Sequence, residues 1–505
     1  MADANSLVLR SKSAPSVPLL LSALVALTAI RLFGLHVSSV DLYYDEAQYW
    51  AWSRDLAFGY FSKPPLLAWV IAALQPICGS GEACVRAASP LFYLATSLTI
   101  YALADSLYGR KTALSAALLF AFLPGVVFSA RVISTDVPLL FFWTLALLAC
   151  VKLLRAPDWR WAGVLALSLG FGLLAKYAMI YFLLGAAVAA AFDAEARALF
   201  RRPQTWAALA VAAVMISPNI VWNLSNGLVT FRHTGENING GGLRFQPLES
   251  VAFVVSQFAV AGPFVFTAFL ALLFRARALG REDRLMLAFA IPPLALVVAL
   301  SFFRGANPNW AAPALISATV AVAAWWIRTG RSRWLALSLG LGLVLQAAML
   351  IGDAYADRIS IAALGSKADI YQRTLGWRAL GQEAAQIAQA QGAATVATEG
   401  RAEMAALSYY LRDKPLAVFS WQHGESARNQ FDLTQALSDN AKEPILLITD
   451  CPHRERLAAF FGSVMRAGKI GVRSGPTSQR HYVAFRLEKR LRPIGPLAVC
   501  GKAGD

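Results

Sequence analysis

Charge is scarce in this chain. Only 15% of its 505 residues are Asp, Glu, Lys or Arg, against about 25% in soluble domains, so most of it is excluded from an ordinary water-soluble fold. Histidine is scarcer still. His36, His233, His423, His453 and His481 show no His-x-x-x-His spacing and no paired cysteines, which leaves a catalytic zinc site without a sequence basis. Gly240, Gly241 and Gly242 form a hinge-like run near Arg232 and His233 but precede no Gly-Lys-Ser/Thr, so they make no nucleotide phosphate loop. The net charge of +16 is spread between apolar runs, not gathered on one soluble face, which argues against nucleic-acid binding.

What is abundant is apolar residue: 57% of the chain, with a mean hydropathy of +0.51. Residues 352–505 hold 20 of the 46 basic and 15 of the 30 acidic groups. The pattern predicts a polytopic α-helical membrane domain over 1–351 and a soluble α/β domain over 352–505. Runs of the length a bilayer demands fall near 17–35, 83–107, 112–129, 137–154, 160–175, 178–192, 204–222, 251–274, 285–303, 311–327 and 334–351, about eleven spans. The fifth and sixth are short and leave a broken hairpin around Lys176 and Tyr177 as an alternative.

Cytoplasmic loops carry an excess of Lys and Arg. One set of alternate connections holds 17 of them and the other 7, which predicts an amino terminus inside and a carboxyl-terminal domain in the periplasm of an inner-membrane protein. The apolar run 64–77 is only 14 residues long and reads as re-entrant or interfacial, so all of 36–82 is expected outside. The first apolar stretch resembles a signal sequence but has no convincing cleavage site and is taken as an uncleaved helix. Cys78, Cys84, Cys451 and Cys500 then share an oxidising compartment. Cys78 with Cys84, and more weakly Cys451 with Cys500, are candidate disulfides, with free thiols as the alternative.

Charges at a membrane boundary need a reason. The outer segment 41–69 (DLYYDEAQYWAWSRDLAFGYFSKPPLLAW) sets Asp41, Asp45, Glu46, Asp55 and Lys63 among aromatics that include Tyr49 and Tyr60. Residues 129–143 (SARVISTDVPLLFFW) add Arg131 and Asp136. An aromatic interface belt with solvated charges is the bland alternative. The chemistry that fits is sugar transfer from a polyprenyl phosphate, whose leaving phosphate is already a stable anion and needs no acid. One general base must take the acceptor hydroxyl's proton, and fixed cations must meet the phosphate. Asp45 suits the base and Lys63 the phosphate, with Arg131 or Lys176 assisting. Direct displacement would invert the anomeric carbon; Glu46 or Asp136 as nucleophile would retain it.

DEAQYW, YFSKPPL, ISTDVPLLFFW, GLLAKYAMIYF, SPNIVWN and NPNWAAPA, in that order, resemble the family 39 membrane glycosyltransferases of the C-type fold. The likeness is strongest to the bacterial branch of aminoarabinose lipid A transferases and rhizobial galacturonosyltransferases, and covers roughly 17–350. The resemblance implies catalytic roles for Asp45, Glu46 and Asp136 and donor-phosphate binding by Lys63, and Lys176 and Tyr177 match a Lys-Tyr pair common in that branch. Beside it, Arg131 and Lys176 are expected to bind the donor phosphate, and Tyr49, Tyr60 and Tyr177 to contact substrate. It implies a polyprenyl-phosphate sugar donor and a glycolipid or protein acceptor among membrane lipids. No metal is obligatory, though a divalent cation on Asp45, Glu46 and Asp136 stays open. Gln48 departs from the aminoarabinose type, which has an arginine there, and this leaves the sugar open. A transporter is the rival class, but it should show charges at mid-membrane and repeated broken halves. In the tail, 377–391 reads as an amphipathic helix, EMAALSYYL as a helix, and AATVATEG, PLAVFSW, PILLITD and RHYVAFRLE as strand-bearing; an acceptor-shaping or stabilising role is expected of it.

Overall fold

The computed structural model describes residues 17–239, 244–358, 370–475, 478–498 and 500. It is a polytopic helical membrane protein with a carboxyl-terminal sheet domain. α1 (Val17–Val37) leads into α2 (Tyr44–Ser53), α3 (Leu66–Cys78), α4 (Glu82–Arg86) and α5 (Ala88–Tyr108). Then come α6 (Arg110–Ala121), α7 (Pro124–Ser129), α8 (Asp136–Arg155), α9 (Trp159–Ala175), α10 (Tyr181–Phe192), α11 (Ala194–Leu199), α12 (Pro203–Ser225) and α13 (Val229–Asn239). α14 (Pro247–Val260), α15 (Pro263–Phe274), α16 (Arg281–Ser301), α17 (Ala312–Arg328) and α18 (Ser332–Ala354) complete the membrane part.

Helix occupies all eleven expected positions, yet among the described residues only seven segments are long and apolar enough to cross a bilayer. The other four are modified. The run 112–129 is divided between α6 and α7, where Pro124 cannot continue the hydrogen-bond ladder. The run 251–274 is bent by 119° between α14 and α15; Gly262, at φ +85°, and Pro263 form the corner. α9 and α10 are shorter than a full span. α3, at 13 residues, is also too short to cross.

α17 sits at the centre. Every residue from Ala312 to Trp326 is buried, as expected of a helix apolar on all sides. Burial against neighbouring helices gains little over burial in lipid, so close packing holds the bundle, and small residues allow it; α17 supplies Ala312, Ala314, Ala318, Ala321, Ala323 and Ala324. Arg31 of α1 donates to Ala121 O (2.7 Å) and Gln346 Oε1 (2.8 Å), meeting a carbonyl freed by the α6 break. Gly342 of α18 lies against the same break, where a Cβ would come 2.1 Å from Phe122 O.

The tail comprises α19 (Trp377–Ala390), β1 (Thr395–Thr398), α20 (Arg401–Tyr410), β2 (Ala417–Ser420), α21 (Gln430–Thr434), β3 (Ile445–Thr449), α22 (Glu455–Ala458), β4 (Phe461–Arg473) and β5 (Gln479–Arg490). Its sheet has the order β2-β1-β3-β5-β4. β1 runs parallel to β2 and β3, with Thr395 opposite Ala417 and Ile445; β5 is antiparallel to β3 and β4. α19 buries Trp377, Leu380, Gly381, Ala384 and Ala388, the helical spacing read from sequence. β4 is an addition to the expected strands: in FGSVMRAGKIGVR only Phe461, Ile470 and Val472 are buried, and alternation is confined to its last five residues. Cys78–Cys84 and Cys451–Cys500 are both bonded, and Cys150 is free.

Candidate active site

Asp45 and Glu46 are neighbours in sequence but face different surroundings, because successive residues of a helix point about 100° apart. Glu46 turns inward and is 1% exposed. Its carboxylate accepts from Arg86 Nη2 (2.7 Å) and Nε (2.9 Å) and from the Tyr43 and Ile133 amides (2.9 Å each). Arg86 in turn donates to Val40 O and Asp41 O. Glu46 thus ties α2 to α4 and to the segment before α8. The expectation that Glu46 takes part in catalysis is not met by this geometry, since its oxygens are occupied by structural donors.

Asp45 turns toward the tail. Its Oδ1 accepts from Nη1 of Arg401, the first residue of α20, at 2.7 Å, and the same nitrogen donates to Gln48 Oε1 at 3.1 Å. The position where an arginine was expected therefore meets a guanidinium brought from the tail, 353 residues away. The tail is docked by further contacts. Arg378 bridges Asp41 (3.5 Å) and Glu82 (2.6 Å), Tyr410 donates to Glu82 (2.7 Å), and the Phe61 amide donates to Gln430 (2.8 Å). Burial first, opposed by Arg378, sets the Asp41 carboxyl up at about 6.

The second acidic position, Asp136, opens α8, where the helix dipole favours an anion. It accepts from Lys176 Nζ at 2.7 Å and Asn309 Nδ2 at 2.6 Å. Lys176 stands in the break after α9, and Tyr177 follows it. The Tyr177 hydroxyl donates to Asn219 Oδ1 (2.7 Å) and accepts from Asn223 Nδ2 (3.3 Å), and its ring stacks on Phe231. The SPNIVWN and NPNWAAPA segments thus supply the amides that hold the Lys176-Tyr177 corner.

A cavity of about 340 Å³ is lined by Lys63, Lys176, Tyr177, Tyr181, Thr234 and Trp310, among others. The Lys63 ammonium has no hydrogen-bond or ion-pair partner among the described residues. Burial, and after it Lys176, pull it below its ordinary 10.5, against Asp136 and Asp45. An unpaired, desolvated ammonium beside a cavity calls for an anion. Asp45 does not line this cavity but acts electrostatically on Lys63, as does Arg401.

Three other expected site residues do not line this cavity. Arg131 pairs with Asp353 (2.6 Å) under the Tyr371 ring, away from Lys63, because a buried guanidinium took the nearest carboxylate. Tyr60 is 1% exposed, stacked on Trp52 at 4.5 Å, and its hydroxyl donates to Trp52 O; it pins the loop. Tyr49 is 5% exposed, edge-on to Trp52, and burial, with Asp45 nearby, holds its phenol well above the ordinary value. Among the described residues no group of three His, Cys, Asp or Glu could hold a metal ion; Asp45, Glu46 and Asp136 form no such group.

Residues 62–222 match the family described as dolichyl-phosphate-mannose-protein mannosyltransferase. The lipid A galacturonosyltransferase RgtD of Rhizobium johnstonii is 30% identical over 427 residues, 84% of this chain and 89% of that protein. The lipopolysaccharide core galacturonosyltransferase RgtA of the same organism is 32% identical over 36% of this chain and 37% of its own. The crystal structure of ArnT from Cupriavidus metallidurans bound to undecaprenyl phosphate superposes with a TM-score of 0.63 at 17% identity, over 93% of this chain and 98% of that one. The fold is that of the C-type membrane glycosyltransferases, and the chain belongs to the same family of sugar-transferring membrane enzymes as the rhizobial lipid A galacturonosyltransferase.

Proposed function

We propose that this chain transfers galacturonic acid from a polyprenyl-phosphate donor to a hydroxyl of lipid A or the lipopolysaccharide core, on the periplasmic side of the inner membrane and with inversion. The observation that carries this reading is the unpaired Lys63 in the cavity with Lys176, electrostatically coupled to Asp45 and Asp136. The donor type is supported by the undecaprenyl phosphate in the structural neighbour. The sugar and acceptor are supported by the relatives, all three of which are galacturonosyltransferases of lipid A or the core.

In this mechanism the prenyl phosphate lies against Lys63 with its chain along Ala178, Ile180 and Leu300. A uronosyl donor brings a second anion, the sugar carboxylate, for which Lys176 is available. Asp45 takes the proton of the acceptor hydroxyl, the hydroxyl oxygen bonds to the anomeric carbon, and the bond from that carbon to the phosphate oxygen breaks. Prenyl phosphate leaves as an anion held by Lys63. Asp136, fixed by Asn309, positions Lys176. The periplasmic placement is supported by the Lys and Arg asymmetry of the loops and by two disulfides on the side of loop 36–82 and the tail.

Mass spectrometry of envelope glycolipids with and without the protein tests this. Deleting it should remove one hexuronic acid from lipid A or core species; an unchanged glycolipid profile would overturn the reading.

A further inference from the structure

A second cavity, of about 230 Å³, lies in the tail beyond Arg401. It forms where the chain leaves β1 and β2: Glu399 and Arg401 follow β1, and Gln422 and His423 follow β2. The carboxyl ends of parallel strands are where open α/β sheets bind ligands, and β1 and β2 are parallel neighbours whose carboxyl ends flank this cavity.

The charges around it are sorted. Glu399 is consumed by Arg456, which forks onto both its oxygens, and by His423 Nε2 at 3.2 Å. Asp432 accepts from Ser420 Oγ (2.6 Å) and the Arg428 amide (2.8 Å), and Asn429 accepts from the Phe431 and Asp432 amides. Two guanidinium groups remain under-used. Arg428 is exposed and its side chain has no partner among the described residues. Arg401 lies over the Tyr44 ring at 4.9 Å and donates only through Nη1, to Asp45 and Gln48; its Nε and Nη2 have no hydrogen-bond partner there. Two arginine forks beside one cavity match the oxygens of a phosphate.

We propose that this tail cavity holds a phosphate of the acceptor's head group, gripped by Arg401 and Arg428. The inference rests on the proposed function. It assigns the phosphate to the acceptor because the donor phosphate already has Lys63, whereas this cavity opens on the tail side of Asp45. Arg401 touches the candidate base and the cavity at once, so an acceptor anchored there presents its sugar hydroxyl beside Asp45. The geometry also gives the tail a role in selecting phosphorylated acceptors.

The test uses the full-length protein in nanodiscs of zwitterionic lipid, with phosphorylated lipid A and the same lipid stripped of phosphate as probes. Arg428→Glu should weaken binding of phosphorylated lipid A about tenfold or more and leave the stripped lipid and polyprenyl phosphate unaffected. A change under twofold, or equal weakening of both lipids, overturns the proposal. Inorganic phosphate equimolar with the lipid should not displace it; displacement would assign the cavity to free phosphate and overturn the acceptor reading. Arg428 has no side-chain partner to lose, and an unchanged melting temperature checks the fold. If the wild type discriminates the two lipids as expected but transfers no sugar, the cavity stands and the proposed function fails. If polyprenyl phosphate binds and neither lipid does, the cavity proposal fails together with lipid A as the acceptor in the proposed function.

Discussion

Replacing Asp45 by Asn is expected to lower the rate of sugar transfer by about 10²–10⁴-fold, the usual contribution of a general base. Asn keeps the shape and can still accept from Arg401, so α2 and the docked tail should persist, with polyprenyl-phosphate binding and melting temperature close to wild type. The loss should appear in kcat, since the acceptor proton has nowhere to go. A steady-state assay with purified protein checks this. Retained turnover would remove Asp45 from the chemistry and leave its pairing with Arg401 as a docking contact only.

The adjacent position should behave differently. Glu46→Gln leaves the Arg86 guanidinium, whose side chain is 3% exposed, without its counter-charge inside the protein. Breaking a buried pair on one side costs about 3–5 kcal/mol. Arg86 also fastens Val40 O and Asp41 O, so the loop carrying Asp45 should loosen with it. Thermal unfolding in detergent should show a clear fall in midpoint, and the residual activity of protein still folded should exceed that of Asp45→Asn. An unchanged midpoint, or full inactivity in a stable protein, would show that Glu46 acts in catalysis after all.

This contrast marks where the sequence was legible. Long apolar runs located the helices, because span length is imposed by the bilayer itself. The α19 stripe and the core strands of the tail were equally readable from period. Pairings across hundreds of residues were not: Arg401 with Asp45 and Arg131 with Asp353, 356 and 222 residues apart, leave no trace in local spacing. Asp45 and Glu46 look alike in one dimension and are separated only by the turn of α2. One signal was present and unused: Arg86, a charge on the edge of an apolar run, must have a buried partner, and Glu46 at the third position of a helix is placed to reach back to its start. The 119° corner at Gly262-Pro263 was also written in the sequence as Ala-Gly-Pro within a nominal span.

The account depends most on Lys63 acting on a phosphate-linked sugar beside Asp45. The direct measurement is the affinity of the purified protein for polyprenyl phosphate, wild type against Lys63→Ala, followed with pH. The variant should bind about tenfold or more weakly. Wild-type binding should fade as pH rises through the lowered Lys63 value, before the ordinary 10.5, whereas Lys63→Arg, charged throughout, should not fade there. Equal affinity of wild type and Lys63→Ala would contradict the account.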